Sequence, residues 1–331
     1  MGDRYLWQLS VLEDIITSET ITDFMYWSEV VYQAQLMHNK IYKKFHNELR
    51  SISDDNLLKR FIPIQVFKNY EIKTGIWNAE VVFRSSGTSG KPRSKHFIRD
   101  LSFYHRLTVR LFRQFYNKID RIAILALLPG YLERRDSSLV SMIHHFINSF
   151  GSVGSGFFIR EYQRLYHQLI SNRDNNIPTL LIGVTHALQD FAEKYPSIGF
   201  PELIIMETGG MKGKRPEVPR EELHQQLKTF FSVPVIHSEY GMTELMSQAY
   251  SKGDGLYYPP DSMQIIISEI SDPFSIEKVG KPGIINVIDL GNLYTCSFIR
   301  TEDIGVLHAD GSFRVLGRAD GSEPRGCNLM L

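Results

Sequence analysis

The sequence predicts an α/β protein of layered strands and helices, joined to a smaller β-rich subdomain. Short apolar runs alternate with amphipathic segments from about residue 81 onward, helical spacing without Pro or Gly fills long stretches of residues 10–50, and turn signals crowd the chain after Gly253. The first pattern is that of strands covered by helices, the second that of amphipathic helices, and the third that of short strands linked by tight turns.

The composition supports a folded protein and narrows its partners. Of 331 residues, 43% are hydrophobic and 22% charged, enough for the core of one or two domains and incompatible with disorder as the main state. Lys plus Arg equals Asp plus Glu at 37 each, so no net field draws in nucleic acid or an anionic membrane, and any anion site must be local. The two cysteines, Cys296 and Cys327, form no disulfide framework or cysteine zinc cluster and suit a reducing cytosol. Charges within the first four residues argue against a secretory signal. The strongest apolar run, residues 122–128, is far short of the roughly 18 to 20 residues of a membrane helix. The expectation is a cytoplasmic protein with no nucleic-acid partner and no membrane span.

Taken in order, helices are expected where Val11, Ile15 and Ile16, then Val31 and Leu36, recur at helical spacing. Strand candidates are IAILALL from 122, TLLIGV from 179, ELIIM from 202, residues 233–236, MQIIIS from 263 and INVIDL from 285. Helices are expected between them at 101–116, 137–150, 161–170, 187–194 and 219–230. After residue 253, turns are marked by Pro259-Pro260, Lys281-Pro282-Gly283, Ala309-Asp310-Gly311 and Ala319-Asp320-Gly321. The division expected is a helical segment and α/β core over 1–252, a β-rich subdomain over 253–320 and a mobile tail over 321–331.

Three segments carry chemistry. Ser85-Ser86-Gly87-Thr88-Ser89-Gly90-Lys91-Pro92-Arg93-Ser94-Lys95 combines two glycines with hydroxyls and cations, a set suited to phosphate oxygens. It is not a Walker A loop, because Pro92 follows Gly90-Lys91; a polar surface turn uses the same residues. The second, His237-Ser238-Glu239-Tyr240-Gly241-Met242-Thr243-Glu244, offers an aromatic to stack a base, a hydroxyl for phosphate and a carboxylate for Mg²⁺. The third, Thr301-Glu302-Asp303-Ile304-Gly305 followed by Gly317-Arg318-Ala319-Asp320, pairs a carboxylate suited to ribose hydroxyls with an arginine suited to phosphate. His144 and His145 adjoin in a helical stretch and read as one packed and one exposed residue; His186 and His237 follow strands, where they are placed to line a site, but lack the carboxylate spacing of a catalytic histidine.

In this order the segments resemble the adenylate-forming superfamily of acyl-CoA ligases, peptide-synthetase adenylation domains and luciferases. The resemblance runs from about residue 81 to 320 and implies the N-terminal-domain architecture of those enzymes. It implies ATP and Mg²⁺, with Ser85 to Gly90 forming the pyrophosphate loop and Lys91 and Lys95 assisting adenylation. It further implies that Gly209 and Gly210 of ETGG line adenine, Tyr240 packs on adenine beside Gly241, Thr243 contacts the α-phosphate, Glu244 ligates Mg²⁺, and Asp303 and Arg318 serve the ribose motif.

Within the superfamily, LLPGYLERRDSSLVSMIHHFI from 127, GSGFF from 154, ETGGMKGK from 207 and the terminal GSEPRGCNLML resemble the acyl-protein synthetase branch, the fatty-acid-activating component of the bacterial luminescence reductase complex. That resemblance implies an acyl-accepting cysteine near the C-terminus, the position of Cys327. Arg325 beside it favours thiolate; the alternative is an incidental terminal cysteine. Larger superfamily members continue into a further domain that supplies a lysine, whereas 11 residues follow Asp320 here, so that domain is expected to be lacking. Extended, residues 320–327 span roughly 20 to 25 Å at about 3.3 to 3.6 Å per residue. The expected substrate is a fatty or other carboxylic acid, with an acyl reductase, a carrier protein or CoA downstream. Two alternatives stay open: a ligase that acylates CoA or a carrier protein without an acyl-cysteine, and a non-catalytic nucleotide-binding subunit.

Overall fold

The structure is a computed structural model. It describes residues 2–49, 51–53, 55–86, 92–117, 121–128, 136–159, 161–209 and 220–319. These fall into two compact units. One is drawn from the chain up to Gln114, from Gly241–Ala249 and from Tyr258 onward; the other comprises Phe115–Tyr240 and Tyr250–Tyr257. No helix among the described residues is long and apolar enough to cross a membrane.

In the first unit, helices span Gly2–Ser18, Phe24–His38 and Lys40–Glu48. Leu9, Leu12 and Ile16 on the first and Val30, Val31 and Ala34 on the second are buried, as their spacing requires. Asn39 both stops the second helix and starts the third. Its backbone N–H reaches the Gln35 carbonyl, its Oδ1 accepts from the Tyr42 N–H, and its Nδ2 donates to the Thr295 carbonyl at 2.9 Å. The antiparallel strands Met263–Ser268, Pro282–Asp289, Phe298–Leu307 and Phe313–Arg318 lie in that order. Ile62–Pro63 runs parallel to the third, with Ile62 opposite Ile299. Separately, Val81–Arg84 and Lys95–Ile98 pair antiparallel, Arg84 opposite Lys95.

The second unit is built on parallel strands in the order Gly156–Phe157, Ala123–Leu127, Thr179–Val184, Ile204–Thr208 and His237–Tyr240. Every residue of Ala123–Leu127 and Thr179–Val184 is buried, which explains their unbroken apolar sequences. The expected helices are present as Leu101–Phe115 (which belongs to the first unit but for its last residue), Ser138–Phe150, Tyr162–Asp174, Thr185–Lys194 and Arg220–Phe231. One strand lies elsewhere than expected. Residues 233–236 are not the strand; His237–Tyr240 is. Pro234 has no N–H to give a ladder, so pairing starts at Met206 opposite His237 and the motif itself forms the strand.

Candidate active site

In the first unit the strand pair closes the ends of the glycine-rich segment. The Ser85 N–H donates to the Ser94 carbonyl at 3.1 Å and the Ser94 N–H to Ser85 Oγ at 3.0 Å. Ser85 and Ser86 are half-buried at its entry and Lys95 is exposed at its exit. Gly87, Thr88, Ser89, Gly90 and Lys91 lie outside the described residues.

Next to Lys95, His96 is 1% exposed. Its Nδ1 lies 2.7 Å from the Thr243 carbonyl oxygen and its Nε2 lies 3.0 Å from Thr295 Oγ1. Burial pushes its pKa down to about 4, against the opposing pull of the Thr243 hydrogen bond and of Glu244. The following carbonyl, that of Glu244, accepts from Asn292 Nδ2 at 2.9 Å. Asp289 then holds the chain beyond, accepting from the Met246 and Ser247 N–H groups at 2.8 and 3.0 Å. Thr243 is half-buried beside Gly241, and the Glu244 carboxylate group is fully buried.

The third motif, that of Asp303 and Arg318, lies in the same unit. Asp303 and Arg318 are opposite one another in the antiparallel strands. Arg318 Nε is 3.6 Å from Asp303 Oδ1, and its Nη2 is ion-paired with Glu302. Thr301 Oγ1 receives the Asp303 N–H at 3.0 Å. Gly305 permits the close approach of these strands: a Cβ there would lie 2.5 Å from the Arg314 carbonyl oxygen and 2.6 Å from Ile285.

In the second unit Glu207-Thr208-Gly209 and Tyr240 stand at the carboxyl ends of neighbouring parallel strands, where open α/β sheets place their ligands. Gly209 takes φ +65°, a conformation glycine adopts freely. Glu207 is buried among Thr185 Oγ1 at 2.8 Å, Ser238 Oγ at 3.0 Å, His224 Nε2 at 3.3 Å and Arg220 Nε at 3.4 Å. Burial would raise its pKa, but Arg220, His224 and Thr185 outweigh burial and hold it at about 2. On the next strand Glu239 accepts from Thr208 Oγ1 at 2.5 Å. Burial raises its pKa to about 7, with the nearby Glu207 charge adding to the effect and the Thr208 hydrogen bond opposing it. Tyr240 is buried, its ring backed by that of Tyr257 at 5.8 Å between centroids.

Sequence reasoning passed over His96, Asn292, Glu239, Arg220 and His224. Glu239 alone lay within a motif already singled out; the others depend on residues far away in the chain. Gly210 and Cys327 lie outside the described residues. Cys296 is fully buried and its thiol is pushed up to about 12 by burial, the core residue its apolar surroundings predict.

No protein-family model matches the sequence, and no match among curated proteins was found. Solved structures do match. An open conformation of 2-hydroxyisobutyryl-CoA ligase in complex with 2-HIB-AMP and CoA aligns over 90% of this chain and 74% of that one, at TM-score 0.65 and 12% identity. ATP-bound MatB from Rhodopseudomonas palustris aligns over 74% of this chain and 50% of that one, at TM-score 0.53 and 14% identity. A long-chain-fatty-acid-CoA ligase, FadD1, from Archaeoglobus fulgidus aligns over 72% and 51%, at TM-score 0.52 and 14% identity. The chain spans about half the length of the latter two. Its fold is the mixed α/β fold of these ligases, as the order of motifs implied.

Proposed function

We propose that this chain activates a carboxylic acid, a fatty acid in the first instance, as its acyl adenylate and passes the acyl group to a thiol, that of Cys327. One observation carries the reading: the glycine-rich segment is closed by a hairpin in which His96, next to Lys95, bonds the Thr243 carbonyl oxygen, which links the phosphate-type segment to the backbone that carries the hydroxyl and carboxylate of the second motif.

In the first step a carboxylate oxygen of the acid attacks the α-phosphorus of ATP. The O–P bond forms as the bond to the β-phosphate oxygen breaks, and pyrophosphate leaves. Anions must meet and an anion must depart, so positioning and charge stabilisation supply the rate enhancement. Backbone and hydroxyl donors of Ser85 to Gly90 hold the departing phosphates, aided by Lys91 and Lys95. The Thr243 hydroxyl contacts the α-phosphate, Asp303 accepts from the ribose, Arg318 holds Asp303 in place, and Tyr240, with Gly209 and Gly210, borders adenine. Among the described residues no cluster of three or more His, Cys, Asp or Glu is arranged around a metal. Magnesium characteristically needs no such cage, taking one or two carboxylates plus substrate phosphates, and the buried oxygens of Glu244 fit that donor set. Bound there, Mg²⁺ would neutralise charge on the phosphates. In the second step the Cys327 thiolate attacks the acyl carbonyl carbon, the thioester bond forms and AMP leaves.

CoA as acceptor is the second reading, favoured by the CoA ligases that share the fold. Mass spectrometry after incubation with ATP, Mg²⁺ and a panel of carboxylic acids, with and without CoA, tests both. An acyl group on the Cys327 peptide is the expected result; acyl-CoA alone favours the second reading; no adenylate with any acid overturns the proposal and leaves a nucleotide-binding subunit.

A further inference from the structure

We infer that His96 is a positioning residue for adenylation: from the strand that closes the phosphate segment, it fixes the Thr243 peptide and thereby aims the Thr243 hydroxyl. The inference rests on the role proposed above for Thr243 and extends it to a side chain outside every motif.

A carbonyl oxygen only accepts, so Nδ1 of His96 carries the proton that bonds Thr243 at 2.7 Å. Nε2 is then the acceptor for the Thr295 hydroxyl at 3.0 Å. That hydroxyl belongs to a residue held on its other side, since the Thr295 carbonyl accepts from Thr74 Oγ1 at 2.7 Å and Asn39 Nδ2 at 2.9 Å. Phe67 meets the imidazole edge to face at 5.8 Å between centroids. The ring is therefore fixed in plane and tautomer. Asn292 holds the next carbonyl, that of Glu244, at 2.9 Å. With two successive carbonyls pinned, the Thr243-Glu244 peptide cannot rotate, and the Thr243 side chain keeps only its own rotamer freedom. A hydroxyl that must meet a reacting phosphate gains most from this kind of support, because small misplacements are costly in rate. The second partner of His96, Thr295, has no role in the proposed chemistry, which gives the test its contrast.

The nitrogen of an asparagine side chain falls near imidazole Nδ1, and that of glutamine near Nε2. His96→Asn thus keeps the donor to Thr243 and gives up Thr295; His96→Gln does the reverse. Pyrophosphate release with ATP, Mg²⁺ and an acid accepted by the wild type gives kcat and KM, and thermal unfolding of each full-length variant gives Tm. The expected result is a kcat for His96→Gln lower by roughly ten- to a hundredfold, a kcat for His96→Asn within about threefold of wild type, and similar Tm values for the two. Equal kcat values in the two variants, whether high or low, overturn the inference, as does activity that follows Tm. A wild-type chain that releases no pyrophosphate with any acid overturns the adenylation reading, and this inference with it; an active wild type with indistinguishable variants overturns this inference alone.

Discussion

Arg318 Nε lies 3.6 Å from Asp303 Oδ1, across two antiparallel strands in which the residues are directly opposed. The arginine also pairs with Glu302, so Asp303 can be removed without leaving a buried cation alone. Asp303→Ala therefore isolates the carboxylate. Hydrogen bonds to charged groups are worth roughly 1.5 to 3 kcal/mol, and pyrophosphate release with ATP and acid is expected to fall by about ten- to a hundredfold or more. Unchanged release removes Asp303 from the nucleotide site.

Cys327→Ser separates the two proposed steps. Acyl-AMP formation is expected to persist, while hydroxylamine-sensitive labelling by radioactive fatty acid disappears, because a serine hydroxyl is a weak nucleophile without an activating base. Persistent labelling in the variant assigns the acyl group elsewhere.

Glu239 predicts a pH dependence of stability. Its folded pKa of about 7 lies above the usual glutamate value of 4.5, so the native state holds this proton after the unfolded chain has lost it. Its contribution is fully present below about pH 4.5 and is lost as pH rises toward 7. His96 and His237, both held near 4 by burial, act in the opposite sense over part of this range, so the comparison must be with Glu239→Gln. The Tm difference, variant minus wild type, is expected to grow from pH 5 to 7.5 in calorimetric scans. A difference independent of pH contradicts a proton held on Glu239.

Gly305→Ala tests the strand packing beside Asp303 and Arg318. The added methyl would lie 2.5 Å from the Arg314 carbonyl oxygen, and overpacking of this kind costs about 1 to 3 kcal/mol. A clear drop in Tm by circular dichroism is expected; an unchanged Tm shows that the bulged pairing there absorbs the methyl.

The sheet of the second unit was legible because burial on both faces leaves strands apolar throughout, as in TLLIGV. Helix spans such as Leu101–Phe115 followed from spacing. The strand His237–Tyr240 was harder to see, since its sequence is polar and its Ser238 and Glu239 are satisfied inside the fold by Glu207 and Thr208 of the neighbouring strand. The first unit's pairing of Ile62 with Ile299 leaves no local trace either. The motifs of the site were legible as residue types; their supports were not. His96 reads as one position in a short alternating strand, and its significance lies in Thr243 and Thr295, 147 and 199 residues away.

The same long-range pairing has a consequence for synthesis on the ribosome. Ile62 emerges early and must wait for Ile299, whereas the parallel strands from Ala123 to Tyr240 are all made before the antiparallel sheet begins at Met263. The later-starting unit can therefore finish first, and the amino-terminal helices remain an incomplete, apolar-faced intermediate until Ile299 and the strands around it have been made. Chaperone demand in the cell should concentrate on that early stretch.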